Sequence, residues 1–226
     1  MPKQLVTEQM VVEAIRSGSK MLDVPAGSII TPLAAERASA SGVKIVQNVV
    51  SPVSSSTEKP KKEPDRAKET LPSGEKPIVA FGSDHGGFQL KELLKKHAES
   101  LGYQTLDVGT MSEDPCDYPD FAYAVAALVA KGEAWRGVMI DGAGIGSCVV
   151  ANKVPGIRAA CCHNEFVARN AREHNDTNVL TLGSRVVGSE VCKEIMRVWL
   201  ETWFAGGRHK VRVDKISDVE GRFLQK

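Results

Sequence analysis

The stretch from Gly137 to Lys153 constrains the fold of this chain more than any other. Its apolar run at residues 138–140 ends in Asp141, and glycine then occupies every second position up to Gly146. An apolar run that ends in glycines and leads into helix-compatible residues is typical of a buried parallel strand, a tight turn and a helix start. Glycines let backbone amides approach a ligand closely, and a helix N-terminus favours negative charge. The stretch predicts a carboxylate at the tip of a strand, opposite backbone amides that can stabilise an oxyanion formed on a bound ligand. The alternative is a turn that merely requires glycine.

Strand and helix patterns alternate from Pro77 to the C-terminus. Five apolar runs are predicted strands, at residues 78–82, 105–109, 137–141, 157–162 and 178–183. Strands joined by helices form right-handed crossovers and a parallel sheet between helix layers. The pattern therefore predicts an α/β fold, a three-layer αβα sandwich with a five-stranded, mainly parallel, Rossmann-like sheet. Ligands on such sheets bind beyond the carboxyl ends of the strands.

Composition divides the chain into three parts. Residues 1–47 predict a small α/β module, with helices that begin after Thr7 and Thr31. This module is too small to bury a core well alone, so we expect it to dock on another surface. Residues 48–76 are rich in Ser, Pro and charge and predict a flexible linker. Residues 77–226 form the main domain.

Charge and cysteine content exclude several classes of function. The 29 Lys and Arg balance 28 Asp and Glu, so nothing demands nucleic acid or an anionic membrane. No apolar run approaches the roughly 18 residues that span a bilayer, and the start lacks the apolar core of a secretory signal. Five cysteines with no CxxC spacing argue against a disulfide framework or a zinc site. We expect a cytoplasmic protein.

Chemically useful residues stand next to the predicted strands. Asp84 and His85 follow the first strand, Asp141 ends the third, and Arg185 follows the fifth. His174 ends a helix that turns directly into the fifth strand. We expect these side chains to converge at one rim, which suits proton transfer on an anionic small molecule. Taken singly, each has a structural explanation, as a helix cap, a turn histidine or a surface ion pair.

A second basic feature follows the glycine pair at 206–207. Arg208 and Arg212 stand four residues apart, so they share one helix face and can grip a phosphate, although a solvated basic face is the simpler alternative. The glycine turn lacks GxGxxG spacing, no acidic residue ends the next strand, and no GxxxxGK[ST] occurs. Dinucleotide and P-loop nucleotide binding are therefore not expected.

Six motifs in the main domain carry a family resemblance. From about residue 78, the chain resembles the ribose-5-phosphate isomerase B family, which includes galactose-6-phosphate isomerase subunits. The motifs stand in the family's order and spacing: Gly82-Ser-Asp-His-Gly-Gly-Phe-Gln-Leu-Lys91, Asp117-Tyr-Pro119, Gly142-Ala-Gly-Ile-Gly146 with Ala151-Asn-Lys153, His174-Asn-Asp-Thr-Asn-Val-Leu180, Gly183-Ser-Arg-Val-Val-Gly188 and Gly206-Gly-Arg-His209 with Arg212.

The resemblance implies an aldose–ketose isomerase that needs no metal or cofactor and works through a cis-enediolate. It implies a homodimer, or a dimer of dimers, with active sites at subunit interfaces. Asp84 and His174 would assist sugar ring opening, and the amides of Gly142, Gly144 and Gly146 would stabilise the enediolate oxygen. Tyr118 and Asn175 would contact the sugar. The phosphate would be held by His85, Arg185, Arg208 and Arg212.

The chain departs from the family at the catalytic base. Family members carry a cysteine at the position of Asp141 or a glutamate at the position of Ser147, and this chain has neither. Our candidate base is Asp141, because a carboxylate at a strand tip is ionised at neutral pH and becomes more basic on partial burial. Cys148 is a second, weaker candidate.

Residues 24–34 and 42–45 resemble short segments appended to enzymes of bacterial microcompartments. This predicts a docking module that binds a shell or cargo partner, with the isomerase as encapsulated cargo. The expected reaction interconverts ribose 5-phosphate and ribulose 5-phosphate. Two alternatives stay open: an isomerase of another aldose phosphate, and a catalytically weak sugar-phosphate-binding or structural protein.

Overall fold

The structure, a computed structural model, describes residues 4–48 and 77–224. The chain divides into two compact units, with the division near residue 70. The predicted linker lies, apart from residue 48, outside the described residues. The domain boundaries drawn from composition therefore stay predictions.

Two βαβ segments in succession build the first unit. Strands at corresponding positions pair in parallel, so that Leu5 opposes Ile29 and Met21 opposes Lys44. The two helices pack against each other. The elements are β1 (Leu5–Val6), α1 (Glu8–Arg16), β2 (Met21–Pro25), β3 (Ile29–Ile30), α2 (Pro32–Ser41) and β4 (Lys44–Asn48).

Local sequence signals explain most of this unit. Thr31 caps α2, since its hydroxyl accepts a hydrogen bond from the Ala34 amide at 3.2 Å. Thr7 occupies the same position before α1 but makes no side-chain cap bond. β1 and β3 were not predicted, because two-residue strands are too short to show an alternating pattern. The unit has a small apolar cluster of its own, made of Val6, Val11, Ala14, Val24, Ala34, Ala38 and Val43.

The second unit contains the predicted five-stranded sheet. All its strand pairs are parallel, and the order across the sheet is β6-β5-β7-β9-β8. β7, which carries Asp141 at its end, is therefore the central strand. The strands are β5 (Ile78–Ser83), β6 (Gln104–Asp107), β7 (Arg136–Asp141), β8 (Ala159–Cys161) and β9 (Val179–Gly183).

Helices cover both faces of this sheet, which confirms the predicted three-layer sandwich. α4 (Tyr118–Ala130) and α5 (Ile145–Ala151) lie on one face. α3 (Phe88–Ser100), α6 (Glu165–Asn175) and α7 (Ser189–Glu201) form the other layer, and α8 (Arg208–Leu224) packs against α6. Among the helices between residues 4 and 48 and between 77 and 224, none has both the length and the hydropathy that a bilayer crossing needs.

A buried arginine fixes the end of α7 against the start of β7. The Arg136 guanidinium donates to the carbonyl oxygens of Trp199 at 2.7 Å, Leu200 at 3.0 Å and Thr202 at 3.2 Å. These carbonyls have no acceptor role within the helix, so they need donors from elsewhere. Arg136 supplies one to each of them, and the Leu200 and Thr202 carbonyls also accept from the Tyr103 hydroxyl at 3.4 Å and from Arg172 Nε at 3.3 Å. The contact places residues 199–202 at the amino edge of the sheet, the edge at which its strands begin.

Candidate active site

The turn after β7 is organised around the carboxylate of Asp141. One carboxylate oxygen, Oδ1, accepts hydrogen bonds from the amides of Ala143, at 2.8 Å, and Gly144. The other, Oδ2, accepts from the Ser147 amide at 3.0 Å and from the Ser147 hydroxyl at 2.5 Å. Gly144 makes this wrapping feasible because its φ of +79° lies in the left-handed region that favours glycine. Asp141 is only 5% exposed.

This arrangement differs from the expectation that every amide of the turn faces the substrate. The amides of Ala143 and Gly144 donate to Asp141 itself, so Gly144 does not offer its amide outward. The amides of Gly142 and Gly146 are not among the donors to this carboxylate. The turn therefore combines an anchored carboxylate with two further amides at the same strand tip.

The tips of β5 and β9 lie against this turn. Asp84 follows β5 directly, and its Oδ1 accepts from the Gly87 amide at 3.0 Å. Burial raises the pKa of the Asp84 carboxyl, and the nearby negative charge of Asp141 adds to this rise, while the Gly87 amide and His85 oppose it. After β9, the Arg185 amide donates to the Gly142 carbonyl at 3.1 Å.

Two more side chains predicted to bind substrate lie at this edge. Nδ1 of His85 accepts from the Cys116 amide at 3.2 Å. The ring of Tyr118 lies over Gly146, since a Cβ placed on Gly146 would stand 2.6–2.8 Å from the ring atoms and hydroxyl. The carboxyl ends of the strands thus bring together one group, which we call the carboxyl-edge cluster: Asp84, His85, Tyr118, Asp141 and Arg185.

His174 belongs to a different group. Its ring stacks on that of His209, with ring centres 4.0 Å apart and planes 8° from parallel. Its Nδ1 lies 2.9 Å from the side-chain amide of Asn170. Burial lowers the pKa of His209, and His174, Arg208 and Arg212 lower it further. We call this group the amino-edge cluster: His174, Asn175, Arg208, His209 and Arg212.

The prediction of one shared rim is wrong for a single chain. Asn175 ends α6, which leads into the start of β9, so it lies at the amino edge of the sheet. Arg158, just before β8, confirms this location by donating from Nε to the Asn175 carbonyl at 3.1 Å. The Ala205 amide likewise donates to the Glu173 carbonyl, beside the end of α7. β9 has five residues, which at about 3.3 Å each separate the two edges by roughly 13 Å.

Burial disfavours ionisation of the thiols near the turn. Burial raises the pKa of Cys148, and its Sγ lies 3.5 Å from the Ala159 carbonyl oxygen. Burial also raises the pKa of Cys161 on the neighbouring strand. Because a thiol must ionise to act as a base, the second candidate, Cys148, is disfavoured relative to Asp141.

Comparison with known proteins decides the family. A family model described as Ribose/Galactose Isomerase matches residues 79–216, more than half of the chain. The chain belongs to the ribose/galactose isomerase family. It is, as its motifs predict, an aldose–ketose isomerase of sugar phosphates.

Named members of the family are close in sequence and in structure. Ribose-5-phosphate isomerase B of Escherichia coli is 46% identical over 144 residues, covering 64% of this chain and 97% of that protein. D-erythrulose-4-phosphate isomerase of Pectobacterium atrosepticum is 40% identical, covering 63% and 94%. The structure of Clostridium thermocellum ribose-5-phosphate isomerase B is 47% identical, with a TM-score of 0.64 over 65% of this chain and 99% of that one. These matches confirm the predicted fold class.

Two residues that contact predicted site residues were given no role by the sequence. His209 stands beside Arg208 in a motif that the sequence analysis singled out, yet no role was assigned to it. Ser147 was noted only as the place where relatives carry a glutamate. Its contact with Asp141 depends on the path of the glycine turn, which residue spacing alone does not define.

Proposed function

We propose that this isomerase interconverts ribose 5-phosphate and ribulose 5-phosphate, with Asp141 as the base. The observation that carries the proposal is the buried Asp141 carboxylate at the tip of the central strand, in one turn with the amides of Gly142 and Gly146. The relatives named for ribose 5-phosphate, at 46% and 47% identity, support this substrate.

The reaction needs a base at one carbon and donors at the neighbouring oxygen. Asp141 removes the proton from C2 of the open-chain aldose, and the electron pair of the C–H bond becomes the C1–C2 double bond. The carbonyl oxygen on C1 then carries the negative charge of the enediolate, which the amides of Gly142 and Gly146 stabilise. The protonated Asp141 returns the proton to C1. Transfer of the second proton, from the oxygen on C2 to the oxygen on C1, completes the ketose.

The remaining residues hold and open the sugar. Asp84 carries a raised pKa, so it can share a proton with the ring oxygen during opening, together with His174. Tyr118 and Asn175 contact the sugar hydroxyls. The phosphate is held by His85, Arg185, Arg208 and Arg212.

We infer that a second copy of the chain completes each site. The carboxyl-edge and amino-edge clusters lie at opposite edges of one sheet, so one chain cannot present both to a small sugar. A twofold dimer joins the carboxyl-edge cluster of one chain to the amino-edge cluster of the other and forms two equivalent sites. α8 carries Arg208 and Arg212 and also exposes apolar side chains suited to such an interface, namely Val211, Ile216, Val219 and Phe223.

An assay of the full chain against a panel of aldose phosphates tests this proposal. We expect the highest kcat/KM with ribose 5-phosphate, and we expect Asp141→Asn to lower kcat by about 10²–10⁴-fold. Preference for another aldose phosphate, such as erythrose 4-phosphate, would contradict the substrate and leave the chemistry standing. Asp141→Asn with most of its turnover would contradict the base. Binding without turnover on every sugar would favour the weakly catalytic alternative.

We further propose that residues 1–47 dock the enzyme on a bacterial microcompartment. The support is the sequence resemblance of residues 24–34 and 42–45, together with the separate apolar cluster of this unit. A fluorescent fusion that carries residues 1–60 should form foci in cells that assemble such shells. A fusion that stays diffuse there would contradict the proposal.

A further inference from the structure

Asp141 meets two kinds of hydrogen-bond donor. Three of its four donors are backbone amides, those of Ala143, Gly144 and Ser147. A backbone amide only donates, whereas a serine hydroxyl both donates and accepts. The Ser147 hydroxyl, 2.5 Å from Oδ2, is therefore the one partner in this set that can reverse the direction of its hydrogen bond.

This difference matters because a base must carry a proton in mid-reaction. Oδ1 accepts from two amides that cannot turn away without moving the chain, so a proton on Oδ1 would face two N–H groups. Oδ2 faces one amide, that of Ser147, and the new O–H on this oxygen can donate to Ser147 Oγ once the serine hydroxyl rotates. The hydrogen bond between the two side chains is then kept in both states of the carboxyl. Ser147 is fully buried, so water does not replace its hydroxyl.

We propose that Ser147 is a positioning residue for the isomerisation base, with its hydroxyl donating to ionised Asp141 and accepting from protonated Asp141. The proton taken from the substrate carbon is thereby directed to Oδ2. This inference rests on the proposed role of Asp141 and adds a residue whose side chain need not touch the sugar.

Other titratable and charged groups surround Asp141, and a pH experiment must distinguish their effect from that of Ser147. In the described part of the chain, the hydrogen bonds to this carboxylate come from residues 143, 144 and 147, so these other groups act on it through charge. They remain in place when Ser147 loses its hydroxyl, so they are common to the wild type and the Ser147 variants. They are Asp84 after β5, Tyr118 on α4, Cys148 on α5, Cys161 on β8 and Arg185 after β9.

The test measures kcat and KM across pH for the full chain and for Ser147→Ala. We expect kcat to fall by about 10-fold or more, because hydrogen bonds to charged groups are stronger than those between neutral groups. We expect KM to change by less than about twofold, since no bound group is removed. Both protonation states lose a hydrogen bond in Ser147→Ala, but the bond to the ionised carboxylate is the stronger of the two. The acidic limb of kcat should therefore move up, by about half to one pH unit. Ser147→Cys keeps the volume with a weaker donor and should move the limb in the same direction.

Thr181→Val is the matched control. Thr181, on β9, is also fully buried, and its hydroxyl donates to the Gly144 carbonyl at 2.7 Å. The variant therefore removes a hydroxyl that contacts the same turn, without removing a hydrogen bond to Asp141. It should lose thermal stability and keep the wild-type acidic limb. A limb that stays in place in both Ser147 variants, or that moves equally in Thr181→Val, would overturn the inference. If Asp141→Asn is inactive in that case, the base assignment survives; if Asp141→Asn is active, the assignment of Asp141 as the base fails as well, and the isomerase activity needs another base.

Discussion

Adding one methyl group should affect substrate binding at Gly146 and folding stability at Gly87. A Cβ on Gly146 would lie 2.6 Å from Tyr118 Cζ, at the far end of a side chain that is 37% exposed. A Cβ on Gly87 would lie 2.4 Å from the carbonyl oxygen of Ile140, which is backbone of the central strand. The ring can rotate away, whereas the strand cannot move without disturbing both of its neighbours.

The magnitudes follow from these contacts. In Gly146→Ala, the energetic cost of moving the Tyr118 ring is offset by a gain in helix propensity of up to about 1 kcal/mol within α5. The stability of this variant should therefore stay near that of the wild type. The displaced Tyr118 loses a sugar contact worth about 0.5–1.5 kcal/mol, which corresponds to a KM increase of about 2- to 10-fold. In Gly87→Ala, overpacking should cost about 1–3 kcal/mol. For a chain of this size, that lowers Tm by roughly 2–12 °C.

Calorimetry and steady-state kinetics on the two variants measure these effects. A double-mutant cycle gives the sharper assay, because Gly146→Ala should change KM by less than about twofold once Tyr118→Ala is present. Equal Tm losses in both glycine variants would refute the distinction between side-chain and backbone contacts. An unchanged KM in Gly146→Ala would refute the role of Tyr118 at the turn.

Three further predictions concern buried polar groups. Burial raises the Asp84 pKa, so the folded state binds the carboxyl proton more tightly than the unfolded chain does, and ionised Asp84 lowers the stability at neutral pH. Asp84→Asn should therefore raise Tm at pH 7 while it lowers kcat. A lower Tm at pH 7 would contradict this. The His209 pKa lies below its ordinary value of 6.5, so the unfolded chain binds this proton more tightly than the folded state does, and stability should fall as the pH drops below about 6.5. His209→Gln should flatten that part of a curve of Tm against pH. An unchanged curve would contradict the prediction. Arg136→Met removes the guanidinium donor from three carbonyls at the end of α7, which should lower the free energy of unfolding, measured in urea, by about 2–4 kcal/mol. A loss below about 1 kcal/mol would mean that water replaces the guanidinium.

Local signals predicted the strand tip well. The apolar run before Asp141 and the glycines after it defined β7 and its turn, because a buried strand and a tight turn both leave marks in adjacent residues. What those residues do not encode is the direction of each amide. That three backbone amides and a hydroxyl surround Asp141 depends on the left-handed conformation of Gly144 and on the start of α5, which become visible only in three dimensions.

The location of His174 was misjudged for a topological reason. The prediction grouped it with residues that follow strands, whereas His174 precedes one. In a parallel sheet, residues that follow strands share the carboxyl edge and residues that precede strands share the amino edge. Chain order alone was therefore sufficient to assign His174 to the opposite edge. There its ring stacks on that of His209, next to Arg208.

The most direct test of the account mixes two inactive variants. Asp141→Asn disables the carboxyl-edge cluster and His174→Ala the amino-edge cluster, so each homodimer should be inactive. If each site takes one cluster from each chain, a refolded equimolar mixture contains heterodimers with one intact site, and activity should return to about a quarter of the wild-type value. A mixture as inactive as its components would contradict a site shared between two chains.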